Sequence, residues 1–230
     1  KMSSTIAVQS AGRGLEDVRP DQLILPHILL LQSMTKFVTQ DGFPAGIYIN
    51  TLSKQRYPDG VTLIPFKMTS YVKLLKPKGS KMVVEGRAQE GDQKLQGRRF
   101  FPEYKLDGTK INATAESVIS VLVCVEGKPA IINFSKTSYR CGKELLTLAK
   151  MSGGDFWSHK YTFVPKKETK GDDTFFINTV TDAGVTTEAE RQEVEALYNA
   201  FAAKAQQVVA KSDPEVGDAQ DPAEDEVPFG

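Results

Sequence analysis

Cations and aromatic rings alternate through the middle of the chain. Tyr71, Lys73, Lys76, Lys78 and Lys81 follow one another along a strand-like stretch and its turn. Arg98 and Arg99 abut Phe100 and Phe101, with Tyr104 and Lys105 just beyond. Lys136, Arg140 and Lys143 bracket the start of a helix-spaced segment, and Trp157 precedes Lys160. A lysine or arginine holds a phosphate with release of its counterions, and an aromatic face stacks on an exposed base. Duplex DNA hides its base faces, so this mixture of residue types suits an unpaired strand. Stacking adds about 1–3 kcal/mol per base and tolerates any sequence. Each ring taken singly is explained as well by filling a core; the set as a whole implies at least two in a groove.

Catalytic constellations are sparse by comparison. His27 and His159 are the only histidines and have no metal-ligand spacing around them. No phosphate-binding loop, nucleophile elbow or dinucleotide fingerprint occurs. The acids of the basic middle are scattered, whereas a metal-dependent nuclease needs them clustered on rigid elements. Cys124 and Cys141 are too few for a disulfide framework and read as reduced, buried thiols. Binding without a cofactor or metal is therefore the expectation, rather than an enzyme.

Charge is partitioned along the chain although its net value is zero. Residues 61–170 hold twenty Lys and Arg against ten Asp and Glu, while residues 171–230 hold three against fourteen. A basic middle followed by an acidic end points to nucleic acid with an autonomous acidic tail. No apolar run of about 18 residues is present, so no membrane partner is expected. The opening residues lack the apolar centre of a secretory signal, and a cytoplasmic location is the expectation.

The elements that would position these residues are mainly β. Residues 1–20 read as a flexible lead-in. Strands are expected in the apolar run 23–31, at 46–50, at 60–66 and at 70–75, with Tyr57-Pro58-Asp59-Gly60 as a turn. Residues 76–115 suggest a long hairpin excursion. Residues 117–125 form the clearest central strand, and Glu126-Gly127-Lys128-Pro129 turns it back into 130–134. Residues 137–151 are helix-spaced, and strands return at 161–164 and 174–180. Thr187 with Glu190 three residues on makes a capping box for a terminal amphipathic helix. This order matches an OB-like five-stranded barrel over residues 21–182, with an inserted helix before the last strands. A C-terminal helix over 183–211, docked on the core or on a second copy, and a tail over 212–230 complete the expected organisation.

The tail from Ser212 onward has seven acids and no base. Its tip, Asp225, Glu226, Val227, Pro228 and Phe229, resembles the acidic tip of bacterial single-stranded DNA-binding proteins. That resemblance implies a docking peptide, with the phenylalanine entering an apolar pocket on a replication or repair enzyme. Gly230 follows Phe229 here, whereas that family ends on the phenylalanine itself. The body, with Leu25-Pro26-His27 and Lys136-Thr137-Ser138-Tyr139, is similar to phage-encoded single-stranded DNA-binding proteins. The likeness implies sequence-tolerant binding in DNA replication, recombination or repair within the host bacterial cytoplasm, with a homo-oligomer open. A strand-annealing recombination protein, a metal-dependent nuclease and a scaffold without nucleic-acid affinity are the alternatives.

Overall fold

The computed structural model describes residues 22–78, 81–101, 113–170 and 173–212. Three short strands open it: β1 (Ile28–Leu30), β2 (Tyr48–Asn50) and β3 (Arg56–Tyr57), with one turn of helix, α1 (Lys36–Thr39), between the first two. The long β4 (Val61–Lys78) follows, then β5 (Lys81–Ala88), β6 (Ala115–Val125) and β7 (Lys128–Ser135). Helix α2 (Tyr139–Ser152) leads into the hairpin of β8 (His159–Lys170) and β9 (Asp173–Val185). Helices α3 (Glu188–Phe201) and α4 (Ala205–Ser212) end the described chain. Among the described residues no helix is long and apolar enough to cross a membrane.

Strand β4 is the spine. Val61 to Leu63 pair with β8, Ile64 to Leu74 with β6, and Val72 to Lys78 with β5, all antiparallel. The larger sheet therefore runs β7-β6-β4-β8-β9, with β5 along the far part of β4. The sequence suggests two strands here, yet the ladder is continuous. Pro65 cannot donate to it and is accommodated at a bulge between Pro65 and Lys67.

Strands β1, β2 and β3 form a second antiparallel sheet. Strand β1 sits between the two ends of the larger one. On one side His27 bridges Ile131 in parallel, and the Ile131 N–H donates to the Pro26 carbonyl at 2.9 Å. On the other, the Gln32 side-chain amide donates to the Phe176 carbonyl at 2.8 Å and accepts from the Phe176 N–H at 2.9 Å. The five-stranded barrel expected from the sequence is thus corrected. The described residues form antiparallel sheets with no closed barrel, and one side-chain amide stands at the seam in place of a ladder.

Strand β6 is buried on both faces and mainly apolar, as a covered central strand requires. Ile119, Val121 and Val123 join one core with Ile28, Leu30, Cys141 and Leu145. Val118, Leu122 and Cys124 join another, into which the terminal helices insert Val194, Phe201, Ala205 and Val208. The amphipathic stripe read from the sequence accordingly docks on the chain's own sheet. Helix α2 lies close on β7 because Gly142 has no side chain: a Cβ there would stand 2.8 Å from the Phe134 Cβ. The capping box opens α3 as expected, with the Thr187 N–H donating to Glu190 Oε2 at 2.7 Å and the Glu190 N–H donating to Thr187 Oγ1 at 3.3 Å.

Candidate nucleic-acid interface

Directly opposed residues of an antiparallel pair share a face, so the register of β4, β6 and β7 defines one side of the sheet, the side on which the terminal helices pack. Thr69, Ser120 and Asn133 form one row across it, Tyr71, Val118 and Ser135 the next, and Lys73 with Glu116 a third. Arg87 of β5 lies opposite Lys73. Five residues on or beside this face, His27, Thr69, Lys73, Glu116 and Ser120, are buried although polar or charged. A sheet face that buries polar groups needs them paired, because an unpaired one costs about 1–3 kcal/mol. Ser120 Oγ donates to Asn133 Oδ1 at 2.5 Å, and Asn133 Nδ2 lies 3.5 Å from His27 Nδ1. Glu116, with its side chain 4% exposed, meets the Lys136 ammonium at 3.3 Å. Among the described residues Thr69 Oγ1 has no hydrogen-bond partner.

Lysines and arginines concentrate around the adjoining ends of β4 and β6. Lys76 and Lys78 are exposed at the end of β4, and the backbone of Lys81 pairs with that of Lys78. The segment carrying Arg98, Arg99, Phe100 and Phe101 runs back along β6: Phe100 bridges Ala115, and the Phe101 N–H donates to the Ala115 carbonyl at 3.1 Å. Arg98 reaches the Leu75 carbonyl at 3.2 Å and pairs with Glu85. Arg99 is exposed, and Phe100 is 39% exposed. Lys136 joins the group through Glu116, and Arg140 and Lys143 follow on the first turns of α2. Arg140 is 86% exposed beside Glu144, and the Lys143 ammonium lies 5.6 Å from the Tyr139 ring centre.

A cavity of about 220 Å³ opens where β1, β7 and β9 meet, beside the same face. Gln32, Lys73, Asn133, Lys136, Phe176 and Asn178 are among its walls. Asn178 Oδ1 accepts from the Tyr48 hydroxyl at 2.6 Å, which fixes the orientation of that carboxamide.

Four expected site residues are placed elsewhere or covered. Tyr71 is buried, with the Arg87 guanidinium 4.1 Å from its ring centre, so its ring presents no open face for stacking. Trp157 packs on Tyr198 of α3 at 4.9 Å between ring centres. Lys160 holds both carboxylate oxygens of Glu190, at 3.0 and 3.2 Å. Lys73 is buried rather than projecting. Tyr104, Lys105 and the tip residues Asp225, Glu226, Val227, Pro228 and Phe229 lie outside the described residues.

A family model described as Pam3 phage gp34-like protein matches residues 3–212. The chain belongs to this family. Its kinship is thus with a phage protein, as the body's residues suggest. The matched stretch of the gp34-like chain ends with α4, and the acidic tail lies beyond it. No curated protein and no solved structure matches the chain.

Sequence reasoning missed Glu116, Ser120, Asn133, Phe176 and Asn178. Ser120 sits within the run 117–125 that reads as a central strand, and Glu116 just precedes it. Phe176 follows Phe175 in a stretch that reads as core. The one available signal was the pair of carboxamides, Asn133 and Asn178, inside otherwise apolar strands.

Proposed function

We propose that this gp34-like chain is a sequence-independent single-stranded DNA-binding protein acting in phage DNA replication, recombination or repair. The carrying observation is the gathering of exposed Lys76, Lys78 and Arg99, with Arg98 and Lys136 nearby, around the adjoining ends of β4 and β6. Exposed Phe100 stands at the same end, as a strand with open bases requires.

An OB-type fold is part of the proposal, and the strand path supports it. Taking β4, β6, β7, β8 and β9 as strands one to five gives the order three-two-one-four-five, with α2 between three and four. OB folds bind oligonucleotides on the face of strands two and three and with the loops joining one to two and four to five. Here the first of those loops is the excursion after β4, which carries Lys81, Arg98, Arg99 and Phe100. The second is the β8–β9 hairpin, with Lys166 and Lys167 near its end. The acidic tip serves partner enzymes: a short peptide with one aromatic anchor and surrounding charge suits transient docking.

A competition gel shift tests the proposal. Full-length protein bound to labelled oligo-dT is challenged with unlabelled single strand or with duplex of equal nucleotide content. Single strand displaces the label at a concentration at least ten-fold lower than duplex does. Equal displacement by the two would contradict the proposal.

A further inference from the structure

The sheet of β1, β2 and β3 carries a second cluster of rings and cations. Its rings are Phe37 and Phe43, which pack on the core of Leu31, Ile47 and Ile49 and meet edge to face at 6.2 Å between centres. The Lys54 ammonium lies 4.2 Å from the Phe37 ring centre, and the Arg56 guanidinium carbon lies 4.5 Å from that of Phe43. Both cations are exposed, and among the described residues neither is in an ion pair. Glu126, close by, is taken up by the Gln55 side-chain amide, which donates to its two carboxylate oxygens at 3.2 and 2.9 Å. Residues 34–57 carry Lys36, Lys54 and Arg56 against Asp41 alone. Counting Glu126 as well leaves the cluster positive.

Backbone geometry fixes both cations at their bases. The Asn50 N–H donates to the Gln55 carbonyl and the Lys54 N–H to the Asn50 carbonyl, both at 2.9 Å. Asn50 Oδ1 accepts from the Leu52 and Ser53 N–H groups at 3.0 Å. Lys54 sits in this turn with a φ of 61°, a left-handed conformation that glycine or asparagine adopts more easily. Outlying backbone at an exposed lysine points to a role for its side chain. Arg56 follows on β3, opposite Ile49 of β2. With each cation resting on a ring, less side-chain freedom remains to be lost when a phosphate is gripped.

The cluster is remote from the one already described. Gln55 meets Glu126 just past the end of β6, whereas the Arg99 carbonyl accepts from the Ala115 N–H at its beginning. At ~3.3 Å per residue, the 11 residues of β6 set the two clusters roughly 35 Å apart.

We propose that the β1–β3 sheet is a second contact surface for the same single strand, with Lys54 and Arg56 each holding one phosphate. The surface rests on the single-strand reading above and deepens it. The strand runs from one end of β6 to the other, and its footprint is longer than the cations around Arg99 alone would give.

The test uses full-length protein and two labelled lengths of oligo-dT across a salt series: a pentamer too short to reach both clusters, and a twenty-mer that reaches both. In the double variant Lys54→Gln with Arg56→Gln, the slope of log affinity against log salt for the twenty-mer becomes shallower by about 1.4, two phosphates' share on a single strand. Its affinity at low salt falls about ten-fold, and pentamer binding is unchanged. The charge-keeping pair Lys54→Arg with Arg56→Lys retains the parent slope. Should the Gln double variant melt early, Lys54→Gly, which suits the left-handed backbone, reads the share of one phosphate instead, about 0.7. An unchanged slope for the twenty-mer would overturn the surface while leaving single-strand binding intact. Equal losses with both lengths would put these cations in the main cluster and also overturn it. Failure of the unaltered protein to bind either length removes the underlying reading.

Discussion

At the scale of the residue, the cations of this chain divide into those held in ion pairs, such as Lys160, and those exposed to solvent, such as Arg99. Lys160 belongs to the first group: it holds the Glu190 carboxylate that also caps α3. Lys160→Ala should lower stability by about 0.5–1 kcal/mol, the worth of a half-exposed pair, and leave oligo-dT affinity within two-fold. A urea melt and a binding titration on the same variant check both halves. The acids around β8 and α3 also set a pH dependence. The Gly184 N–H, donating to Asp182 Oδ1 at 2.7 Å, is the main reason the Asp182 carboxyl ionises below its ordinary 3.8, with His159 Nδ1 at 2.8 Å helping. The Thr187 N–H and then the Lys160 ammonium hold Glu190 below its ordinary 4.5. Both folded values are depressed, so their stabilisation is complete above those ordinary values and is lost as pH falls through the lowered ones. Melting temperature should therefore drop as pH falls below about 4.5, and Glu190→Gln should flatten part of that drop. An unchanged acid limb in the variant counts against the assignment. The sequence announced the Thr187 capping box outright, because its signal is local. It hid the fates of Lys160 and Trp157, which are decided by α3 docking from about thirty to forty residues away in the chain.

At the scale of the element, two close approaches control the sheet and its seam. Alanine is ordinarily a better helix former than glycine by about 0.8–1.0 kcal/mol. Gly142→Ala should nevertheless destabilise, by about 1–3 kcal/mol, because its methyl meets Phe134 at the α2–β7 contact. Denaturant midpoints for the pair decide the sign. The seam depends on Gln32, whose amide replaces two ladder hydrogen bonds to Phe176. Gln32→Ala should cost about 1–3 kcal/mol, since it leaves backbone groups at a half-buried site without that partner. Amide exchange at Phe176 should quicken first, and equal protection in both proteins would show that the seam has another lock. Strands β6 and β7 and helix α2 were readable because each carries its own period and turn signal. The continuity of β4 was not, since a proline within a strand ordinarily marks an end and here marks a bulge. Likewise the seam was invisible, because a glutamine gives no sign that its side chain will imitate a strand.

At the scale of the whole molecule, charge separation is the organising feature. The sheet end gathers cations, while residues 213–230 carry seven acids and no base. Ser212 itself belongs to the body: it is buried at the end of α4, and its hydroxyl accepts from the Leu25 N–H at 2.9 Å. Ending the chain after Ser212 should therefore leave the melting temperature unchanged. Oligo-dT binding should tighten at low salt and become equal to that of the full chain at high salt, as screened competition requires. Phe229→Ala should abolish capture of partner enzymes without changing DNA affinity. The asymmetry itself was legible from the sequence, since it needs only counting. The clustering of its basic half near the ends of β4 and β6 was not, because register sets Lys73 opposite Glu116 and an ion pair brings Lys136 to that carboxylate from a third segment.

The most direct test is an anisotropy titration of labelled oligo-dT with the full-length chain across a salt series. Binding should be micromolar or tighter at low salt. The slope of log affinity against log salt should be clearly negative, of order −0.7 for each phosphate held. A chain that ignores oligo-dT in dilute buffer, or binds it with no dependence on salt, would contradict a cationic face that grips an unpaired strand.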